Sequence, residues 1–190
     1  MTNLSTVQMQ KFLTLFEAYD RGQCGFLSRD DFLIFARRAS ELLDWEQQHP
    51  ATWKTRLAAL EQSYEYSFNR LLDAADRNHD DQISLPEYLD YFERQAMECK
   101  NMGRAAPWIK DTYKQIELLF DVDASGSIDA NEYCLFREVM GTNVNAASVF
   151  ATLDQDHDGK LMREDIERLL LEFICSDDPK APGNRFFCGK

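Results

Sequence analysis

Residues 121–132 read DVDASGSIDANE, and positions 1, 3, 5, 7, 9 and 12 of that stretch are Asp121, Asp123, Ser125, Ser127, Asp129 and Glu132. Oxygen-bearing residues at alternate positions, followed by a glutamate, are what a chain needs to wrap a hard divalent cation with six to eight oxygens. Asp121, Asp123 and Ser125 offer side chains, and Ser127 offers its backbone carbonyl. Asp129 acts directly or through water, and Glu132 brings both carboxylate oxygens. Gly126 at position 6 permits the sharp turn, and Ile128 at position 8 is the apolar anchor for a two-residue β contact with a partner loop.

The same frame recurs on either side. Downstream, Asp154, Asp156, Asp158, Gly159, Lys160 and Leu161 match positions 1, 3, 5, 6, 7 and 8, with Lys160 entering through its carbonyl. Position 12 is Asp165, one methylene shorter than glutamate, and position 9 is Met162, which has no side-chain oxygen. Fewer oxygens suit the octahedral preference of magnesium, so this loop is expected to hold Mg2+ or to bind Ca2+ more weakly. Upstream, Asp76, Asn78, Asp80, Gln82, Ser84 and Glu87 fill every ligand position around the anchor Ile83. Here Asp81 replaces the glycine of position 6, a substitution that costs roughly 1 kcal/mol in a left-handed backbone. The remaining loop, Asp20 to Asp31, has Gly22 and Cys24 at positions 3 and 5 and a short Asp31 at position 12. It is expected to be a metal-free partner, paired through Leu27 with Ile83.

A helix pattern precedes and follows each loop. Ser5 and Gln8 form a capping box, after which Met9, Phe12, Leu13, Phe16 and Tyr19 share one face up to Asp20. A second helix is expected from about Asp30 through Trp45. His49, Pro50 and Ala51 separate it from a long third helix carrying Leu57, Leu60, Tyr64, Phe68, Leu71 and Leu72. Pro86 suits the first turn of a fourth helix, where its missing N–H is not needed. Gly103 to Pro107 break the pattern, which places a linker near 101–106. Trp108 opens the second half, whose own turn falls at Gly141 to Asn143. The fold class is therefore all-α, four helix–loop–helix motifs in two packed pairs: residues 1–100 with one degenerate and one active loop, and residues 101–190 with two active loops and a tail.

Composition narrows the function. The chain has 190 residues, 44% of them hydrophobic, which is enough for a sizeable core. With 33 acidic against 21 basic residues its formal charge is −12, which repels nucleic acid and anionic lipid. No apolar run is long enough to span a membrane, and Thr2 removes the myristoylation signal. Cys24, Cys99, Cys134, Cys175 and Cys188 form no CxxC pair and follow no signal segment, which fits a reducing, cytoplasmic location. His79 and His157 sit at loop position 4, pointing to solvent, and no nucleophile–base pair is visible, so no enzymatic activity is expected. One acidic turn between helices is often only a cap; three in register make cation binding the reading.

Beside the loops, the 56-residue spacing from Asp20 to Asp76, against 33 from Asp121 to Asp154, marks an enlarged first pair. Together with the overall length and the segment SDDPKAPGNRFF at 176–187, this resembles the sarcoplasmic calcium-binding protein, calexcitin and calerythrin group of EF-hand proteins over the whole chain. The resemblance implies a compact globule in which both EF-hand pairs pack together, usually with three active sites. It also implies that Phe186 and Phe187 dock into the cleft of the second half or between the lobes, where they would compete with target peptides.

The expected function is buffering of Ca2+, with Mg2+ at the Asp154–Asp165 loop, by a monomer. Two rivals are a calcium sensor acting on a protein target and a carrier of an apolar ligand related to luciferin-binding proteins and photoproteins. The six methionines, Met1, Met9, Met97, Met102, Met140 and Met162, are scattered rather than gathered into a groove, which favours the buffer. Trp45, Trp53 and Trp108 are read as core and interface residues before cavity walls.

Overall fold

In the computed structural model, which describes residues 3–102, 107–142 and 145–188, each of the four loops stands between helices and contributes one two-residue strand. In the first half these are α1 (Thr6–Tyr19), β1 (Phe26–Leu27), α2 (Arg29–Leu42), α3 (Trp45–Gln48), α4 (Trp53–Ala75), β2 (Ile83–Ser84) and α5 (Leu85–Met102). The second half has α6 (Pro107–Phe120), β3 (Ile128–Asp129), α7 (Ala130–Val139), α8 (Ala146–Leu153), β4 (Lys160–Leu161) and α9 (Arg163–Cys175). A 3-10 turn (Pro182–Asn184) and α10 (Arg185–Cys188) follow. Residues 103–106 of the expected linker, and Asn143 of the expected turn, lie outside the described residues.

The anchors pair the loops. Leu27 is opposite Ile83 and Ile128 opposite Leu161, both antiparallel, and these four side chains are buried. Apolar anchors at position 8 thus tie each loop to its partner and to the core beneath it.

The second helix is shorter than its periodicity suggests. It stops at Leu42, Asp44 takes a left-handed φ of 48°, and the four-residue α3 follows. The break carries Trp45 inward to 2% exposure, under the Arg56 guanidinium 4.8 Å from its ring. Apolar spacing continues through Leu42, Leu43 and Trp45, so the sequence gives no sign of the break.

The two halves share one core. Phe12 of α1 stacks on Phe92 of α5 at 4.7 Å and meets the edge of Phe173 of α9 at 5.8 Å. Across α4 and α6, Arg70 pairs with Asp111 at 2.5 Å and the Gln115 amide donates to Ser67 Oγ at 2.7 Å. Lys11, buried on α1, donates to the Ser176 carbonyl and to Asn184 Oδ1, both at 2.7 Å, with its ammonium 5.4 Å from the Phe173 ring. A buried lysine set on backbone oxygens past the end of α9 is favoured both by hydrogen bonding and by the dipole of that helix. Among the described residues no helix is long and apolar enough to cross a membrane.

Candidate metal centres

The third loop closes on itself through the proposed ligands. Asp121 accepts from the amides of Ser125 at 2.8 Å and Gly126 at 3.0 Å, and Asp123 accepts from Ser125 at 3.0 Å. Glu132, buried, accepts from the amide of Val122 at 2.8 Å with one oxygen and that of Asp129 at 2.9 Å with the other. The glutamate therefore spans the loop from position 2 to position 9. Carboxylate oxygens of Asp121, Asp123 and Glu132 lie within 4.8 Å of one another. Asp129 turns one carboxylate oxygen to the first turn of α7, where Oδ1 accepts from the amides of Asn131 and Glu132. Ser125 Oγ lies 2.9 Å from Ser127 Oγ, at the same rim as the Ser127 carbonyl.

In the fourth loop Asp154, Asp156 and Asp158 bring carboxylate oxygens within 4.8 Å of one another. Asp154 Oδ2 accepts from Gly159 at 2.9 Å, whereas Asp154 Oδ1 is buried without a hydrogen-bond partner. A buried carboxylate oxygen with no donor, beside two other acids, is strongly unfavourable unless a cation meets it. The residues present thus fit a divalent ion. Asp165 does not span its loop as Glu132 does: one oxygen accepts from Met162 N at 3.1 Å and the other from Arg168 at 3.1 Å. Lys160 presents its backbone within the β3–β4 pair, its side chain exposed.

The second loop repeats the spanning glutamate. Glu87 accepts from Arg77 N at 3.0 Å, and from Ser84 through the amide at 3.0 Å and the hydroxyl at 2.6 Å. The Ser84 hydroxyl, foremost among these, holds the Glu87 carboxyl below its ordinary range. Asp76 accepts from His79 and Asp81, Asp80 from Gln82, and Asn78 faces Asp80 at 2.9 Å. Asp81 takes φ 61°, the left-handed conformation that Gly25, Gly126 and Gly159 adopt at the same position. Position 4 is left-handed as well, at Gln23, His79, Ala124 and His157, with φ between 52° and 60°. Sequence reading missed that second left-handed residue, because no glycine marks it.

In the first loop a thiol joins the amides that bond the acid at position 1. Asp20 accepts from the amides of Cys24 and Gly25, each at 2.9 Å, and from Cys24 Sγ at 3.3 Å. Asp31 accepts from the Ser28 amide at 2.7 Å and hydroxyl at 2.6 Å. Gly22 and Cys24 at positions 3 and 5 add no carboxylate to these two acids.

Two apolar features complete the picture. In the tail Phe186 and Phe187 are 1% and 7% exposed, with Phe186 5.3 Å from Phe136 and Phe187 4.9 Å from Phe173. Buried Arg137 and its neighbour Tyr133 on α7 donate to the tail carbonyls of Arg185 and Phe186 at 3.1 and 2.8 Å. Between the halves lies a cavity of about 300 Å³ walled by Tyr19, Tyr88, Tyr91 and Phe92, with Arg70 and Gln115 among its polar residues. Burial pushes the Tyr91 phenol in the cavity wall up to about 12.

Paired helix–loop–helix units with acidic twelve-residue loops, joined by short antiparallel strands, define an EF-hand protein. Within that class the chain is similar to sarcoplasmic calcium-binding proteins. It is 27% identical over 131 residues to "Sarcoplasmic calcium-binding proteins I, III, and IV" of Branchiostoma lanceolatum, a match covering 68% of each chain. Its fold superposes on the amphioxus sarcoplasmic calcium-binding protein with a TM-score of 0.79 at 20% identity, over 99% of both chains. It also superposes on the coelenterazine-binding protein of Renilla muelleri with a TM-score of 0.67 at 18% identity, over 98% of this chain and 100% of that one. No family model matches the sequence.

Proposed function

We propose that this is a calcium-binding protein that buffers Ca2+ at three loops, 76–87, 121–132 and 154–165, with Mg2+ competing at the last. The observation that carries the reading is Asp154 Oδ1, buried and without a donor inside a group of three carboxylates. Asp76, Asn78, Asp80, Gln82 and Glu87 serve the first of these sites. Asp121, Asp123, Ser125, Ser127 and Glu132 serve the second, and Asp154, Asp156, Asp158, Lys160 and Asp165 the third. Ion binding removes repulsion among clustered acids and so favours the compact state, which couples occupancy to folding.

Buffering is favoured over sensing by the tail. A sensor exposes an apolar groove when loaded, whereas here Phe186 and Phe187 already occupy the apolar surface of the second half. The exposed methionines Met97 and Met162 stand far apart in the chain and do not replace such a groove. A monomer in a reducing, cytoplasmic compartment accords with Cys24, Cys99, Cys134 and Cys175 as free thiols.

A calorimetric calcium titration with and without millimolar magnesium tests this reading. Three sites are expected, with one lost in Asp154→Asn and the heat at that site reduced by magnesium. Fewer than two sites in the parent protein overturn it, and calcium-induced binding of a hydrophobic dye would put the sensor first.

The cavity between the halves supports a second reading, a carrier of an apolar aromatic ligand with a polar end, in the manner suggested by the name of the coelenterazine-binding neighbour. Titration with coelenterazine followed by fluorescence tests it. Saturable binding abolished by Leu71→Trp, which fills the cavity, supports the carrier; absence of binding to the parent protein removes it.

A further inference from the structure

Helix α9 stacks Asp165, Arg168 and Glu172 along one face at intervals of three and four residues, the spacing that brings side chains together. Arg168 Nη2 donates to Asp165 Oδ1 at 3.1 Å, while Nη1 stands 3.6 Å from Glu172 Oε1, an ion pair outside hydrogen-bond range. That Nη1 is buried and donates to nothing. The other oxygen of Glu172 accepts from the amide of Gly183 at 2.9 Å. Gly183 belongs to the 3-10 turn that seats the tail on α9. The approach there is so close that a Cβ would lie 2.4 Å from the Leu169 carbonyl oxygen and 2.5 Å from Glu172 Cβ. An unbroken line of contacts therefore runs from position 12 of the fourth loop to the tail.

Arg168 is shared unevenly between two acids. In the second and third loops the position-12 glutamates are held by backbone amides at positions 2 and 9, an arrangement an ion can join without evicting a cation. In the fourth loop a divalent ion that draws on Asp165 meets a guanidinium already bonded to it. The cation must then give way, and Glu172, four residues along the same face, is the acid placed to receive it.

We infer that filling of the fourth loop hands Arg168 from Asp165 to Glu172, and that this transfer tightens the Glu172–Gly183 bond and with it the seat of the tail. The inference rests on the reading of residues 154–165 as an ion site. Because linkage is reciprocal, a seated tail strengthens ion binding at this loop by the same factor by which the ion strengthens the seat. The loaded protein then covers its apolar cleft more firmly, the opposite of a sensor that opens.

Three amides read the three ends of this relay in one experiment on the full chain. With glycine as the sole labelled residue the spectrum contains eight amides. Gly126 bonds to Asp121, Gly159 to Asp154 and Gly183 to Glu172, reporting the third loop, the fourth loop and the tail. During a calcium titration the Gly183 resonance is expected to move with the Gly159 midpoint, and its hydrogen exchange to slow by about fivefold or more on filling. In Arg168→Gln, with Arg168→Lys as the charge-retaining control, Gly159 still titrates while Gly183 exchange ceases to respond in the glutamine variant. A Gly183 amide that follows Gly126 instead, ignores filling in the parent protein, or still responds in Arg168→Gln overturns the inference. A Gly159 amide unmoved by millimolar calcium or magnesium overturns the ion-site reading itself.

Discussion

The Tyr133 hydroxyl donates to the carbonyl of Phe186 at 2.8 Å, one residue after Glu132 closes the third loop. Neighbouring residues of α7 therefore serve the ion loop and the tail. Tyr133→Phe removes that buried hydrogen bond and the one Arg137 Nη1 donates to the same hydroxyl at 3.2 Å, but leaves Arg137 on the adjacent carbonyl. A loss of about 1 kcal/mol is expected in denaturant unfolding, with calcium affinity little changed.

Phe186 fills the space beside Tyr133 and Phe136, and its truncation leaves a cavity rather than an exposed patch alone. Phe186→Ala is expected to destabilise the protein by about 3–5 kcal/mol and to raise binding of a hydrophobic dye in the calcium-loaded state. Equal dye binding by parent and variant would show that the cleft is closed by other means.

Asp165→Glu restores the methylene that lets Glu87 and Glu132 reach the position-2 amide of their loops. The longer carboxylate is expected to span to Gln155 and to offer both oxygens. Calcium affinity at the fourth loop should rise by about tenfold, or about 1.4 kcal/mol, with the magnesium effect diminished. Site-resolved titration of the Gly159 amide measures it.

Asp81 holds φ 61° without a glycine's freedom. Asp81→Gly relieves that strain while loosening the unfolded chain, a balance expected to stabilise the protein by no more than about 0.5 kcal/mol. Asp81→Ala, which cannot use a short polar side chain to support the conformation, should be less stable than the parent. Thermal unfolding without added metal ranks the three.

Acid sensitivity follows from the first loop. Burial raises the Asp20 carboxyl, but the Gly25 and Cys24 amides and the Cys24 thiol outweigh it and hold the group below its ordinary 3.8. A carboxyl depressed on folding contributes stability that is fully present above the unfolded value and is lost as pH falls through the folded one. Without added metal, the thermal midpoint should be flat through neutral pH and should fall once pH drops below about 4. Asp20→Asn should be less stable at neutral pH and show a shallower acid decline.

The loops were legible because an ion dictates which positions carry oxygen, and the anchors Leu27, Ile83, Ile128 and Leu161 because a paired loop must bury position 8. The break at Asp44 was not, since a left-handed residue inside continuing apolar spacing leaves no trace in periodicity. Lys11 and Arg137 also escaped notice. A basic residue on a helix reads as solvated, and only the distant carbonyls of Ser176 and Arg185 make these two buried. Arg168 could have been found, because it stands three residues after Asp165, the position-12 acid too short to span the fourth loop.

The first loop keeps its shape through Asp20 and Cys24, so β1 is a fixed template against which β2 can register before any ion arrives. In the other half both strands border acidic loops, and on the three-site reading each ion would organise its neighbour's loop. On the three-site reading the dose–response of the molecule is therefore mixed: the first half fills one ion at a time along a simple hyperbola, and the second takes up its pair steeply.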